Sequence, residues 1–187
     1  AGVIVDETHP LFVYLPCGVG GAPGGVAYGL KQVFGSAVHC FFVEPAASAC
    51  FLVQMQHPEQ LGISIYEAGL NNQTIADGLA VPCASQLVYP VMRSLLSGIV
   101  TTSEQSLYAN IWRMQQAANV RLEPSAGASL SGLRGLLLTA QGQDYLQAHG
   151  LTKYLNQSNH ILWTTGGSLL PDEEYLLLLA KGQAASH

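Results

Sequence analysis

Val13-Tyr14-Leu15-Pro16-Cys17-Gly18-Val19-Gly20-Gly21-Ala22-Pro23-Gly24-Gly25-Val26-Ala27-Tyr28-Gly29-Leu30 is the stretch that decides the fold. An apolar run ends in a glycine-dense turn, and residues with helical spacing follow. Glycine tolerates positive φ and lets the main chain come close to a ligand. A helix that starts after such a turn presents unpaired N–H groups and the positive end of its dipole. Together these make an anion site, and phosphate is the common biological anion of that size. A tight structural turn is the competing reading, but five glycines and a proline fall within Gly18–Gly25.

The turn matches neither of the two common nucleotide loops. A Walker A loop ends in Gly-Lys-Ser/Thr, and Gly24-Gly25-Val26 stands there instead. The dinucleotide pattern G-x-G-x-x-G fits Gly18-Val19-Gly20-Gly21-Ala22-Pro23 poorly, because its last position is Pro23. A lone phosphate, as on a phosphorylated cofactor, fits better.

Outward from the turn, strand and helix patterns alternate. Leu11–Leu15 reads as a buried strand, and Gly25–Phe34 as a helix through Val26, Leu30 and Val33. Ala37–Val43 is a second strand, closed by Glu44-Pro45, so the segment forms one βαβ unit with parallel strands. Gln56–Gln73 reads as a loop. Ser85–Leu96 is expected to be a helix with Leu87, Val91 and Leu95 on one face, and Gly98–Thr102 a short strand. Thr102-Ser103-Glu104-Gln105 offers a capping signal for a further helix through Leu107, Ile111 and Met114. Val120–Leu122 is a brief strand before Glu123-Pro124, and Ser125–Thr139 a small-residue helix able to approach a cofactor. His160–Thr165 is the last strand. Pro171 opens a final helix with Asp172, Glu173 and Glu174 in its first turn, as the dipole favours. This order predicts the α/β class: an open, mostly parallel sheet flanked by helices. Ligands of such sheets bind beyond the C-terminal strand ends. Gly18–Gly25, Glu44-Pro45, Glu123-Pro124 and Thr165-Gly166 each follow a strand-like run, so they can converge there.

Composition narrows the partners. Of 187 residues, 49% are hydrophobic and only 10% charged, so some apolar surface is expected to be covered by a partner subunit or by the rest of a longer polypeptide. A net charge of −5 argues against nucleic acid, and seven Lys and Arg against an anionic membrane surface. No apolar run nears the ~18 residues that span a bilayer. The N-terminus carries no signal-peptide pattern. Cys17, Cys40, Cys50 and Cys83 lack C-x-x-C pairing and read as buried thiols in a reducing cytoplasm. The histidines show neither zinc spacing nor triad partners.

Nearly the whole chain resembles the C-terminal part of the bacterial D-serine dehydratases, a family of fold type II (tryptophan synthase β-like) pyridoxal-phosphate enzymes. Pro16–Gly25 and Trp163-Thr164-Thr165-Gly166-Gly167 carry that resemblance most specifically. Ala76-Asp77-Gly78-Leu79-Ala80-Val81, Arg121-Leu122-Glu123-Pro124-Ser125-Ala126 and Ala180-Lys181-Gly182 add to it, the first two being common to serine and threonine deaminases.

The resemblance implies that residues 1–187 are the C-terminal portion of a large cofactor-binding domain. It implies main-chain amides of Gly18, Val19, Gly20, Gly21, Ala22, Gly24 and Gly25 on the phosphate of pyridoxal phosphate. Ala22 stands where the family has glycine, which weakens the cradle if that site needs positive φ. Thr165 is implied to hydrogen-bond the pyridine nitrogen. A neutral hydroxyl there leaves the ring a milder electron sink than a carboxylate would, which suits β-elimination and disfavours transamination. Glu44, with main-chain oxygens of Ser48 and Cys50, resembles the segment where relatives bind a monovalent or divalent cation, a monovalent one being the expectation here; hard cations take oxygen ligands. Glu123 is implied near the ring edge, and Asp77 near the site.

The family's cofactor-binding lysine sits in a Ser-x-Lys-x-Arg-Gly context. Lys31, Lys153 and Lys181 do not match it, so the catalytic residues are not identified in this chain. The reaction expected of the whole enzyme converts D-serine to pyruvate and ammonia. A deaminase of L-serine or L-threonine, or a non-catalytic fragment, remains open.

Overall fold

All six residues of Leu11–Pro16 are buried, as a strand covered on both faces must be. In the computed structural model, which describes residues 2–186, this strand is β1. Val38–Pro45 is β2, Gly98–Thr102 is β3 and Asn159–Leu162 is β4. All pair in parallel, in the order β3-β2-β1-β4. The helices are α1 (Gly21–Phe34), α2 (Cys50–Gln56), α3 (Tyr89–Met92), α4 (Glu104–Ala118), α5 (Pro124–Leu138), α6 (Ala140–Ala148) and α7 (Asp172–Ala184).

Side chains alternate across a strand with a period of two, and this sorts the core into two layers. Leu11, Val13 and Leu15 join Val38, Cys40 and Phe42 on the face covered by α1, α2 and α3. Phe12 and Tyr14 join Phe41 and Val43 on the other face, against Leu107, Ala128, Leu136 and Leu146 of α4, α5 and α6. The register pairs Leu11 with Val38 and Phe12 with His39, which keeps each layer in phase.

The strand order sets where a ligand can sit. From β1 the chain builds outward through β2 to β3, then returns to place β4 on the other side of β1. The order therefore reverses at β1, and open sheets of this kind take ligands in the crevice outside the C-terminal strand ends at such a reversal.

Several elements differ from their sequence pattern. Helix α1 begins at Gly21, four residues before the expected Gly25, because Gly24 N–H already bonds the Gly20 carbonyl at 2.8 Å. Of the expected Ser85–Leu96 helix, only Tyr89–Met92 is α-helical. Its buried side is Tyr89 and Met92, while Leu87 is 84% exposed, so the predicted apolar face was misassigned. Val120–Leu122 is not a strand, and β4 stops at Leu162 instead of reaching Thr165. Helices α2 and α6 are not among the expected elements; both are short, and α6 buries only Gly142 and Leu146. Gln56–Gln73 has no helix or strand beyond the end of α2, as expected.

The small residues of α5 serve the sheet. A Cβ on Gly132 would stand 2.7 Å from the Tyr14 ring, and one on Gly135 would stand 2.9 Å from Val100. Small side chains here let α5 lie flat across β1, β2 and β3. At the far end, α7 lies against α4, and a Cβ on Gly182 would meet the Tyr108 carbonyl at 2.3 Å. No helix among the described residues is long and apolar enough to cross a membrane.

Candidate phosphate and cofactor site

The turn between β1 and α1 carries main-chain donors that the fold leaves unused. Cys17 N–H bonds the Val43 carbonyl at 2.9 Å, closing the sheet, and Gly24 N–H is the first intrahelical donor. Between them, the N–H groups of Gly18, Val19, Gly20, Gly21 and Ala22 have no partner among the described residues. Helix α1 has no side-chain cap and no acid in its first turn. Its dipole end is thus left uncompensated at the crevice, the arrangement that binds anions.

Gly20 is glycine for two reasons. Its φ is +101°, and a Cβ there would stand 2.3 Å from the Phe51 ring. Gly18 is confined by Val81, the Gly78 carbonyl and Leu79, at 3.2–3.3 Å from a built Cβ. Gly24 packs on Val88, 2.5 Å from a built Cβ, while Gly21 and Gly25 face open space. The amide cradle is therefore shorter than the expected Gly18–Gly25. Gly24 has given its N–H to the helix and Pro23 has none. Ala22 lies in the first helical turn and is not among the non-glycine residues with positive φ. The condition under which it would distort the turn is not met.

A chain of close contacts joins the other motifs to this turn. Gly18 touches Gly78 and Leu79 of the Ala76–Val81 segment. Gly78 N–H donates to Ser125 Oγ at 3.2 Å, in the first turn of α5. Glu123 immediately precedes α5, and its N–H donates to the Gly166 carbonyl at 3.2 Å. A Cβ on Gly166 would stand 2.8 Å from the Glu123 carboxyl, whose oxygens have no hydrogen-bond partner among the described residues. Thr165 is exposed just beyond β4, on the sheet edge that carries the turn, and Trp163 N–H bonds the Tyr14 carbonyl at 3.1 Å. Asp77 is exposed and accepts from Gly78 N–H at 2.8 Å.

The segment expected to hold a cation has other work. Glu44, fully buried at the end of β2, accepts from Phe51 N–H at 2.7 Å and Leu52 N–H at 3.0 Å, so it holds the start of α2. Burial raises its pKa to about 7, although those two amides oppose the shift. Ser48 Oγ bonds Asn72 Oδ1 at 2.7 Å and accepts from Val81 N–H at 3.1 Å. Cys50 Sγ donates to the Gly18 carbonyl. Among the described residues no group of three or more His, Cys, Asp or Glu is arranged around a metal position.

The lysines stand elsewhere. Lys31 donates to the Val38 carbonyl at the opposite end of the strands, Lys153 lies over the Tyr154 ring, and Lys181 over Tyr108. Cavities of about 420 and 480 Å³ open beside β3 and include no residue of the turn. Around the turn Val19, Tyr28 and Trp163 are 41–49% exposed.

A parallel sheet with a helix N-terminus and unpaired amides at its switch point defines an α/β protein with the arrangement that favours an anionic ligand. The family model described as pyridoxal-phosphate dependent enzyme matches residues 4–146, and this chain belongs to that family. It is 54% identical over 175 residues to a probable D-serine dehydratase of Burkholderia lata, covering 94% of this chain and 39% of the relative. It is 49% identical over 183 residues to one of Paracidovorax citrulli, covering 98% and 41%. The chain thus spans about two-fifths of the length of the curated relatives it matches. In fold it is similar to a fungal L-serine ammonia-lyase from Rhizomucor miehei, with a TM-score of 0.68 and 24% identity over 95% of this chain and 50% of the other. The diaminopropionate ammonia lyase of Escherichia coli gives 0.67 and 18%, over 95% and 44%.

The donor set fits the cofactor of that family. A dianionic phosphate takes up several N–H donors at once, and five stand free here.

Proposed function

We propose that the longer polypeptide to which this chain corresponds carries out the pyridoxal-phosphate-dependent β-elimination of D-serine to pyruvate and ammonia. In this reading residues 1–187 are the C-terminal portion of its large cofactor-binding domain. The amides of Gly18, Val19, Gly20, Gly21 and Ala22 grip the phosphate. Gly24 and Gly25 act by starting the helix whose dipole faces it. The observation that carries the reading is the run of five unpartnered amides at the switch point. The name shared by relatives at 44–54% identity supports D-serine as substrate.

Bound there, the cofactor supplies an electron sink for loss of the substrate's Cα proton and β-hydroxyl. The Thr165 hydroxyl would donate a hydrogen bond to the ring nitrogen without transferring its proton, which would leave that nitrogen uncharged, keep the sink mild and favour elimination. The Glu123 carboxylate lines the ring edge. A monovalent cation at Glu44 and the main-chain oxygens of Ser48 and Cys50 belongs to the same reading. Its support is a fully buried acid with no cationic side chain bonded to it. The lysine that anchors the cofactor and moves the Cα proton is assigned to the rest of the polypeptide. That part, or another subunit, also covers Val19, Tyr28 and Trp163 and excludes water.

The test is 2-oxo acid release by the full-length protein: pyruvate from D-serine or L-serine, 2-oxobutanoate from L-threonine. D-serine is expected to be the best substrate, and Thr165→Ala to lower its turnover at least about tenfold, the weight of one buried hydrogen bond to a reacting ring. Faster turnover of either L-amino acid overturns the substrate assignment. A 2-oxo acid from none of the three overturns the reaction and leaves an anion-binding, non-catalytic chain.

A further inference from the structure

The Gly18 carbonyl has two thiols as its partners. Cys17 Sγ and Cys50 Sγ each donate to it at 3.3 Å. No main-chain N–H reaches it among the described residues. Both thiols are fully buried. Neither cysteine is in a disulfide.

In a trans peptide unit the C=O and N–H vectors point in opposite directions. Holding the Gly18 oxygen inward therefore turns the Val19 N–H outward, and that N–H is one of the five left free. The other side of Gly18 is closed by Val81, Gly78 and Leu79, so this peptide plane has little room to rotate. Cys50 owes its own place to Glu44, which binds the two amides that follow it in α2. A thiol suits the task because it donates weakly yet is buried like a small hydrophobe. Its neighbours in the core include Val13, Leu15, Phe42 and Phe51.

We infer that Cys17 and Cys50 are positioning residues: they clamp the Gly18–Val19 peptide so that the Val19 amide faces the phosphate of the cofactor. The inference rests on the reading of this turn as a phosphate site.

The experiment uses the full-length protein, resolved of cofactor and titrated with pyridoxal phosphate and, separately, with pyridoxal, which lacks the phosphate. Cys50→Ala is expected to weaken pyridoxal phosphate about fivefold, as loss of one modest hydrogen bond does, and the Cys17→Ala/Cys50→Ala double variant more. Pyridoxal affinity should stay at the wild-type value, and the phosphorus NMR resonance of the bound phosphate should move. Cys50→Ser, which restores a donor, should recover most of the loss. If Cys50→Ala does not fold, as judged by the apo-protein's melting, Cys17→Ala is read by the same criteria. Variants that bind pyridoxal phosphate within about twofold of wild type, well inside one hydrogen bond's worth, overturn the inference. So does an equal loss for both ligands. A wild-type protein that binds pyridoxal as tightly as pyridoxal phosphate refutes the phosphate reading itself, and this inference falls with it.

Discussion

Two regions of this chain set polar groups against the apolar core, and they are finished differently. Across the middle of the sheet, His160 of β4, Phe12 of β1 and His39 of β2 stand side by side in register. Their rings stack at 4.9 and 5.1 Å. Each histidine has a hydroxyl partner: His39 Nδ1 meets Tyr145 Oη at 2.7 Å, and His160 Nδ1 meets Tyr14 Oη at 2.9 Å. One strand-length away, the turn after β1 leaves five consecutive N–H groups with none. Buried polar groups are normally satisfied within the fold. The row obeys that rule and holds the sheet together. The turn lies outside that rule: Val19, Gly21 and Ala22 are exposed, so its amides stand open to water or to a ligand.

The sharpest way to break this contrast is at Gly20. Gly20→Ala has to relieve both a positive φ and a ring contact at 2.3 Å. The expected cost is roughly 4 kcal/mol in stability, from backbone strain plus overpacking, with loss of the cofactor. Chemical denaturation of the full-length protein measures it. A variant that melts like wild type and still holds cofactor would mean that the turn is not rigid.

The row makes the next largest prediction. Burial lowers the His39 pKa from 6.5 to about 4, with the charge on Lys31 acting in the same direction, and burial also lowers that of His160. A folded pKa below the unfolded value means that the unfolded chain takes up the proton first. The stability tied to a neutral His39 is therefore complete above pH 6.5 and is lost as pH falls towards 4, up to roughly 3 kcal/mol. Denaturant midpoints across that range should fall on acidification, and His39→Phe should flatten the slope. An unchanged slope in the variant would remove His39 from the acid limb.

The smallest effect is expected at Ala22, which sits in a helical turn without positive φ. Ala22→Gly should lower stability by about 1 kcal/mol or less, the helix cost of glycine, and leave cofactor affinity unchanged. Tighter binding by the glycine variant would show that the methyl group does disturb the cradle.

Much of the architecture was legible because it is written locally. The βαβ unit from Leu11 to Pro45, the edge on which the glycine turn sits and the capped start of α4 at Ser103 all follow from neighbours in sequence. Ser103 Oγ accepts from Ser106 N–H at 3.2 Å, as the pattern implied. The errors fall where packing overrules pattern. Around Leu87 a helical spacing of apolar residues points the wrong way, because the segment turns to close over Val19, whose carbonyl takes the Ser85 N–H at 2.8 Å. Helix α2 was missed because its N-terminal anchor is Glu44, six residues before its first residue, on another element. Of the candidate site, the motifs were legible as separate pieces. The contacts that link Gly18 to Gly78, Gly78 to Ser125, and Glu123 to Gly166 were not.

By itself, the sequence determined that a parallel strand runs into a glycine turn and a helix, since strand alternation, glycine density and helical spacing each act over a few residues. Only the folded chain decided which amides stay free, why Ala22 does no harm and why two cysteines far apart in sequence meet on one carbonyl. Those outcomes depend on the order β3-β2-β1-β4 and on side chains brought together from distant segments, whose mutual distances no local pattern encodes.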